Sequence, residues 1–238
     1  MFSFLIVLND FHPVPPPNIR VHHSSFLVET DSCYYLFDYE KGCLPTINVT
    51  KPIIVLSSHG HPDHYNPEIF SMLNALGMQT VYAVLSDDIE VPVDVNVLQV
   101  SAGQEYDLWL GQKIVTFQST DLGVAFLIED QGQLIYHAGD LNDWVWEGES
   151  DSYNHQMTME YRKQIDLLSE KLKDQEIDAA FVVLDPRQEN DYDRGMCYFL
   201  EHILVKEVYP MHDWETPEIV DKFLEEHPKY KKKIKTAK

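Results

Sequence analysis

At 238 residues, with 44% hydrophobic and 12% aromatic side chains, the chain suits one domain with a sizeable core, and no part of it reads as a detachable second domain. A formal charge of −21 argues against a nucleic-acid backbone as the main partner, because binding a polyanion needs clustered Lys and Arg. Three cysteines, Cys33, Cys43 and Cys197, are too few and too scattered for a disulfide framework and fit a reducing cytoplasm.

The apolar start Met1-Phe2-Ser3-Phe4-Leu5-Ile6-Val7-Leu8 has no basic segment or small-residue cleavage site and is far too short to span a bilayer. Residues 1–18 therefore read as a strand or leader with a stiff connector at Pro13-Val14-Pro15-Pro16-Pro17, and no membrane partner is expected. The folded domain is expected over 19–228. Runs at 19–30 and 33–39 form a hairpin around Thr30-Asp31-Ser32. His22 and His23 lie on its first strand, where neighbours face opposite ways, so at most one can turn toward a site.

A buried strand at 52–57 runs into Ser57-Ser58-His59-Gly60-His61-Pro62-Asp63-His64. Asn66-Pro67-Glu68 then reads as an N-cap, a proline at the first helical position and an acid in the first turn, opening a helix over 67–76 that Gly77 closes. Strands follow at 80–85 and 95–100, then short alternating runs at 104–110, 113–118, 124–129 and 133–137, with turns at Gly111-Gln112 and Asp130-Gln131-Gly132. The spacing of Tyr161, Ile165, Leu168 and Leu172 predicts a helix over 154–172. A strand at 179–184, a helix at 193–203, a strand at 206–209 and a helix at 216–226 complete the order. A mostly antiparallel portion followed by strand, helix and strand suits an α+β fold, a four-layer αββα sandwich. Six of the eighteen basic residues fall in 229–238 with no acid among them, which reads as a solvated, frayed tail.

Three of the eleven histidines and one carboxylate lie within the six positions 59–64. In a continued strand His59, His61 and Asp63 would share one face and His64 the other, so the backbone must leave the strand if all four are to converge. Imidazole nitrogens and a carboxylate suit zinc or a similar divalent ion, and four donors exceed what one catalytic ion takes while keeping a water. Two neighbouring ions are the natural reading; a histidine-rich polar loop is the plain alternative.

Asp140 ends Tyr136-His137-Ala138-Gly139-Asp140 just past a strand, among small residues that let the backbone approach an ion, though an Asp after Gly is also ordinary turn chemistry. His137, on another face, is expected to support the ligands by hydrogen bonding, and His23 is given the same role. His212 follows the strand end Val208-Tyr209-Pro210-Met211. Trp144 and Trp146 sit in a loop, 141–151, suited to walling a pocket. Arg187 and Arg194 suit bidentate binding of a small anionic substrate, with surface salt bridges as the alternative.

His-x-His-x-Asp-His after an apolar strand resembles the signature of the metallo-β-lactamase-fold hydrolases. Ser119-Thr120-Asp121, His137-Ala138-Gly139-Asp140 and Pro210-Met211-His212 fall where that superfamily places its remaining ligands. The stretch His22-His23-Ser24-Ser25-Phe26 followed by Leu36-Phe37-Asp38 is similar to the ascorbate-6-phosphate lactonase-like branch. The resemblance implies the metallo-β-lactamase fold, a bridging Asp140, and one ion shared by Asp63, His64, Asp140 and His212. Most of the superfamily carries a histidine at the third motif; here Asp121 stands there, and no histidine lies between His64 and His137. Asp121 is taken to replace it beside His59, His61 and Asp140, unless it is a turn residue. Oxygen for nitrogen would move metal preference from zinc toward manganese or iron.

No Ser-His-Asp or cysteine nucleophile and no phosphate-cradling loop competes. The expected function is hydrolysis of a small anionic lactone, ester or phosphoester by a hydroxide that two divalent ions activate and Asp63 orients. The competing readings are a metal- or ligand-binding protein with a degraded site and, disfavoured by charge, a nuclease. Homo-oligomerisation is left open.

Overall fold

The computed structural model describes residues 18–236, so the apolar start and the proline connector lie outside the described residues. The first half comprises β1 (Asn18–His22), β2 (Ser25–Glu29), β3 (Tyr34–Phe37), β4 (Ile53–Ser57), α1 (Glu68–Leu76), β5 (Val81–Ser86) and β6 (Asn96–Val100). Its strands lie side by side in that order in one six-stranded sheet. Alternation along them decides the layers. Phe26, Val28, Tyr35, Phe37, Ile54 and Leu56 face the core shared with the second sheet, whereas Leu27, Leu36, Ile53 and Val55 pack with Ile69 and Leu73 of α1. Both faces are covered, which is why these strands read as nearly continuous apolar runs.

The second sheet holds β7 (Glu105–Asp107), β8 (Lys113–Gln118), β9 (Val124–Asp130), β10 (Gln133–His137), β11 (Ile177–Val183) and β12 (Val205–Met211), in the order β12-β11-β10-β9-β8-β7. Between its later strands run α2 (Asp151–Leu172) and α3 (Arg194–His202), and α4 (Glu218–Glu226) follows β12. Tyr161, Ile165, Leu168 and Leu172 of α2 join Met196 and Phe199 of α3 in the core. Tyr136 of β10 stacks on Phe199 at 5.4 Å, and the Tyr161 hydroxyl donates to the Gly195 carbonyl at 2.7 Å. Two sheets face to face between helices make the expected four-layer α+β sandwich.

Three details differ from the sequence reading. The run at 19–30 is not one strand: it folds back at His23-Ser24, with a register shift between Arg20 and His22. Arg20 holds that turn by donating to the His23 carbonyl at 3.0 Å and to Asp213 at 2.6 and 2.7 Å, and His23 takes a left-handed φ of +39°. The pairs from β3 to β6 are parallel, joined across β4 and β5 by α1, where mostly antiparallel pairing was expected. The tail is not frayed over its described part. Tyr230 and Ile234 are buried among the lysines, and Val208 of β12 exchanges hydrogen bonds with Lys233 and Lys235 at 2.9 and 2.8 Å. Among the described residues no helix is long and apolar enough to cross a membrane.

Candidate metal centre

The motif leaves β4 after Ser57, and the His64 and Tyr65 amides both donate to the His61 carbonyl at 2.9 Å. That tight turn returns His64 to the side of His59. Loops from the second sheet close on the same point: the Val124 amide donates to the Ser58 carbonyl at 2.9 Å. A Cβ on Gly139, whose φ is +53°, would lie 2.6 Å from Ser58 Cβ and 2.9 Å from the Val124 carbonyl oxygen. A glycine there is what allows Asp140 to reach the motif.

Two groups of ligand-type side chains result, each with its donor atoms within 4.8 Å of one another: His23, Asp63, His64 and His212, and His59, His61, Asp121 and Asp140. Asp140 lies between them. Its Oδ1 is 3.0 Å from His64 Nε2 and 3.3 Å from His212 Nε2, and its Oδ2 is 3.6 Å from His59 Nε2. In the second group His59 Nε2 and His61 Nδ1 are 2.9 Å apart, and His61 Nδ1 is 3.5 Å from Asp121 Oδ2. Asp63 Oδ2 lies 3.7 Å from His23 Nε2 and His64 Nε2, and 4.0 Å from His212 Nε2. His23 is thus among the candidate ligands, where the sequence reading had it supporting them. His22 turns the other way, to Glu40 at 2.8 Å.

The residues fit cations. His23 Nε2, His64 Nε2, His212 Nε2 and Asp140 Oδ1 are all buried, and none has a hydrogen-bond partner among the described residues. Asp140 Oδ1 stands close to two of these nitrogens without the alignment of a hydrogen bond, and four such atoms gathered in one place are what an ion would satisfy together. Electrostatics agrees. Burial, with His212 and His64 close by, lowers His23 to about 3, so it is a neutral imidazole with a free lone pair. Burial disfavours charge on His64 and on Asp140, yet Asp140 and Asp38 raise His64 well above its ordinary value, and His64 and His212 hold Asp140 well below the carboxylate range. The Asp140 carboxylate between the two groups is therefore held in its ionised form.

Two buried carboxylates that sequence reasoning missed aim the imidazoles. Asp38 accepts from the Ser58 amide at 2.7 Å, the Ser58 hydroxyl at 2.8 Å and His64 Nδ1 at 2.7 Å. With its proton given to Asp38, Ser58 Oγ accepts from His59 Nδ1 at 3.0 Å, so one carboxylate leaves the Nε2 of both histidines facing the centre. Asp185 does the same for His212, accepting from its Nδ1 at 2.9 Å and from Trp214 Nε1 at 3.3 Å. The available signal was an aspartate directly after an apolar strand, Leu36-Phe37-Asp38 and Val183-Leu184-Asp185.

The remaining candidates have mainly supporting contacts. Arg187 grips Asp185 through Nε at 3.0 Å and Nη2 at 2.5 Å and lies 4.2 Å over the Trp214 ring. Arg194 pairs with Asp143 and Asp191, both at 3.4 Å, and donates to Thr158 at 3.1 Å. Trp144 is buried: its indole N–H donates to the Asp140 carbonyl at 2.9 Å and its ring lies 5.7 Å from His212, so it braces Asp140 instead of walling an open pocket. His137 stacks on Phe37, donates through Nε2 to the Ser24 carbonyl at 3.0 Å and accepts the Gly139 amide at 3.1 Å through Nδ1. Its Nδ1 lies 3.7 Å from Asp38, behind the ligands.

Among solved structures, the chain is similar to the metallo hydrolase Igni18 from the archaeon Ignicoccus hospitalis, with a TM-score of 0.64 at 16% identity over 92% of this chain and 93% of that one. It is also similar to CmlA, a diiron β-hydroxylase from Streptomyces venezuelae, with a TM-score of 0.58 at 12% identity over 94% of this chain and 53% of that one. At such identities these likenesses speak to the fold alone. Comparison with curated proteins finds no significant sequence match. The family model described as a beta-lactamase superfamily domain matches residues 20–152, which hold His23, the histidine motif, Asp121 and Asp140. That match covers more than half of the chain and agrees with the two-sheet fold: the chain belongs to the β-lactamase superfamily domain family.

Proposed function

We propose that the chain is a metal-dependent hydrolase holding two divalent ions. The observation that carries this is the Asp140 carboxylate, which presents one oxygen to each of two clustered ligand groups, the more buried of which ends in nitrogens with no hydrogen-bond partner among the described residues. His23, Asp63, His64, His212 and Asp140 Oδ1 would hold one ion; His59, His61, Asp121 and Asp140 Oδ2 the other. When bound, such ions lower the pKa of a water toward neutrality and stabilise charge that develops on the attacked centre. Asp63, partly exposed at the rim of its group, is placed to accept a hydrogen bond from the attacking water and set its direction. Asp38 and Asp185 keep the imidazoles turned so that their lone pairs stay available. Two carboxylates beside two imidazoles make the His61 group a hard shell, suited to manganese or iron as well as zinc.

The proposed substrate is a small anionic lactone, ester or phosphoester, in keeping with a place near the ascorbate-6-phosphate lactonase-like branch. Support comes from the guanidinium of Arg187, half exposed beside the Asp185-His212 pair. Three free cysteines support a reducing, cytoplasmic setting.

Metal analysis of unstripped protein, with turnover across lactone, ester and phosphodiester panels, tests the reading. Two bound ions, with one ion and the turnover lost in His61→Ala, support it. One ion or none, with no turnover on any panel, favours a binding protein with a degraded site. Arg187→Ala separates substrate contact from positioning: an anion contact raises KM, whereas loss of the grip on Asp185 lowers kcat and metal content with KM unchanged.

A further inference from the structure

A third cluster of ligand-type side chains, none of which belongs to either group above, joins the start of α3 to the end of α4: Asp193, Cys197 and His227. Asp193 caps α3 and Cys197 lies four residues on, so both are on one helical face, and His227 caps the C-terminus of α4. All three are partly buried. We propose that Asp193, Cys197 and His227 form a separate divalent-cation site of the zinc type that clamps α3 to α4.

The distances carry it. His227 Nε2 lies 2.5 Å from Asp193 Oδ2, and Cys197 Sγ lies 3.7 Å from His227 Nε2 and 3.9 Å from Asp193 Oδ2. Tetrahedral zinc, with bonds of about 2.0–2.2 Å to nitrogen and oxygen and about 2.3 Å to sulfur, needs donor separations of about 3.4 Å for the N···O edge and about 3.6 Å for those to sulfur. The sulfur already stands within a few tenths of an ångström of its place. Only the nitrogen–oxygen edge, 2.5 Å here, has to open to admit the ion. Thiolate, imidazole and carboxylate are the zinc donor set, with water in the fourth position.

A cysteine nucleophile is the competing use of these residues, and the geometry is against it. A relay needs thiol and carboxylate on opposite ring nitrogens, whereas here Sγ and Oδ2 both approach His227 Nε2 most closely. Burial and the neighbouring Asp193 and Glu201 push the Cys197 thiol up to about 12, so it stays protonated at neutral pH unless a cation draws the proton off.

Cobalt binding by chelator-stripped protein tests the site without recourse to activity. Neither ligand group of the main centre contains a cysteine, so a thiolate-to-cobalt charge-transfer band in the near ultraviolet reports this cluster alone. The band should appear in the wild type, persist in Cys33→Ser and Cys43→Ser, and vanish in Cys197→Ser and His227→Gln, each of which should bind one equivalent fewer. Its absence from the wild type at saturating cobalt, or its survival in Cys197→Ser, would overturn the proposal and leave a hydrogen-bonded aspartate–histidine pair beside a thiol. Should either variant misfold, zinc shielding of Cys197 from alkylation in the wild type decides: slower modification supports the site, and an unchanged rate rejects it.

Discussion

Asp38 belongs to neither ligand group, yet it determines which nitrogen of His64 faces the centre and, through Ser58, which nitrogen of His59 does. Replacing such a carboxylate in metal sites costs about 10–100-fold in affinity. Asp38→Asn keeps the shape but can present an amide N–H to His64 where an acceptor is needed. Zinc affinity should fall by about that factor, read by competition with a chromogenic chelator, while the circular dichroism spectrum stays that of the wild type. The histidine motif was legible in the sequence because four metal-type side chains in six positions have few other uses. Asp38 and Asp185 were not, because a single aspartate after a strand is equally a turn residue, and only the folded chain brings a histidine to it. His23 was hidden for a related reason: the sharp turn at His23-Ser24, held by Arg20 and Asp213, cannot be seen in a run of strand-forming residues.

Among the elements, α2 has the clearest sequence signal, since Tyr161, Ile165, Leu168 and Leu172 recur at helical spacing and all four are buried. Leu168 is 1% exposed, so Leu168→Ala should cost about 2–5 kcal/mol through lost burial and the cavity left behind. Denaturant unfolding would measure this as a lower midpoint with an unchanged slope. The cap of α1 was equally legible: Asn66 Oδ1 accepts the Glu68 amide at 3.0 Å, and Gly77 takes a φ of +83°. Strand direction was not. Alternation tells which face of a strand is buried but not which way its neighbour runs, so the parallel β3-β4-β5-β6 segment emerges only from the pairing. The C-terminal lysines hid the tail's docking on β12 in the same way, because charge dominates the composition while Tyr230 and Ile234 make the contact.

For the molecule as a whole, the two ligand groups differ in access to solvent. The side chains of His61 and Asp121 are 48% and 49% exposed, whereas His23, His64 and His212 are buried. Chelation should therefore proceed in two phases, with the ion beside His61 leaving first and the one beside His212 later. Stopped-flow release into a metal indicator would show the biphasic course, and Asp121→Asn should speed the first phase only. The candidate ligands also come from both halves of the sandwich: His59, His61 and His64 follow β4 of one sheet, while Asp140 and His212 follow β10 and β12 of the other. Cations shared by these side chains, as proposed, would act as rivets across the seam between the sheets. Emptying the centre would then unfasten that seam, so metal supply would govern how long the folded molecule survives as well as how fast it works.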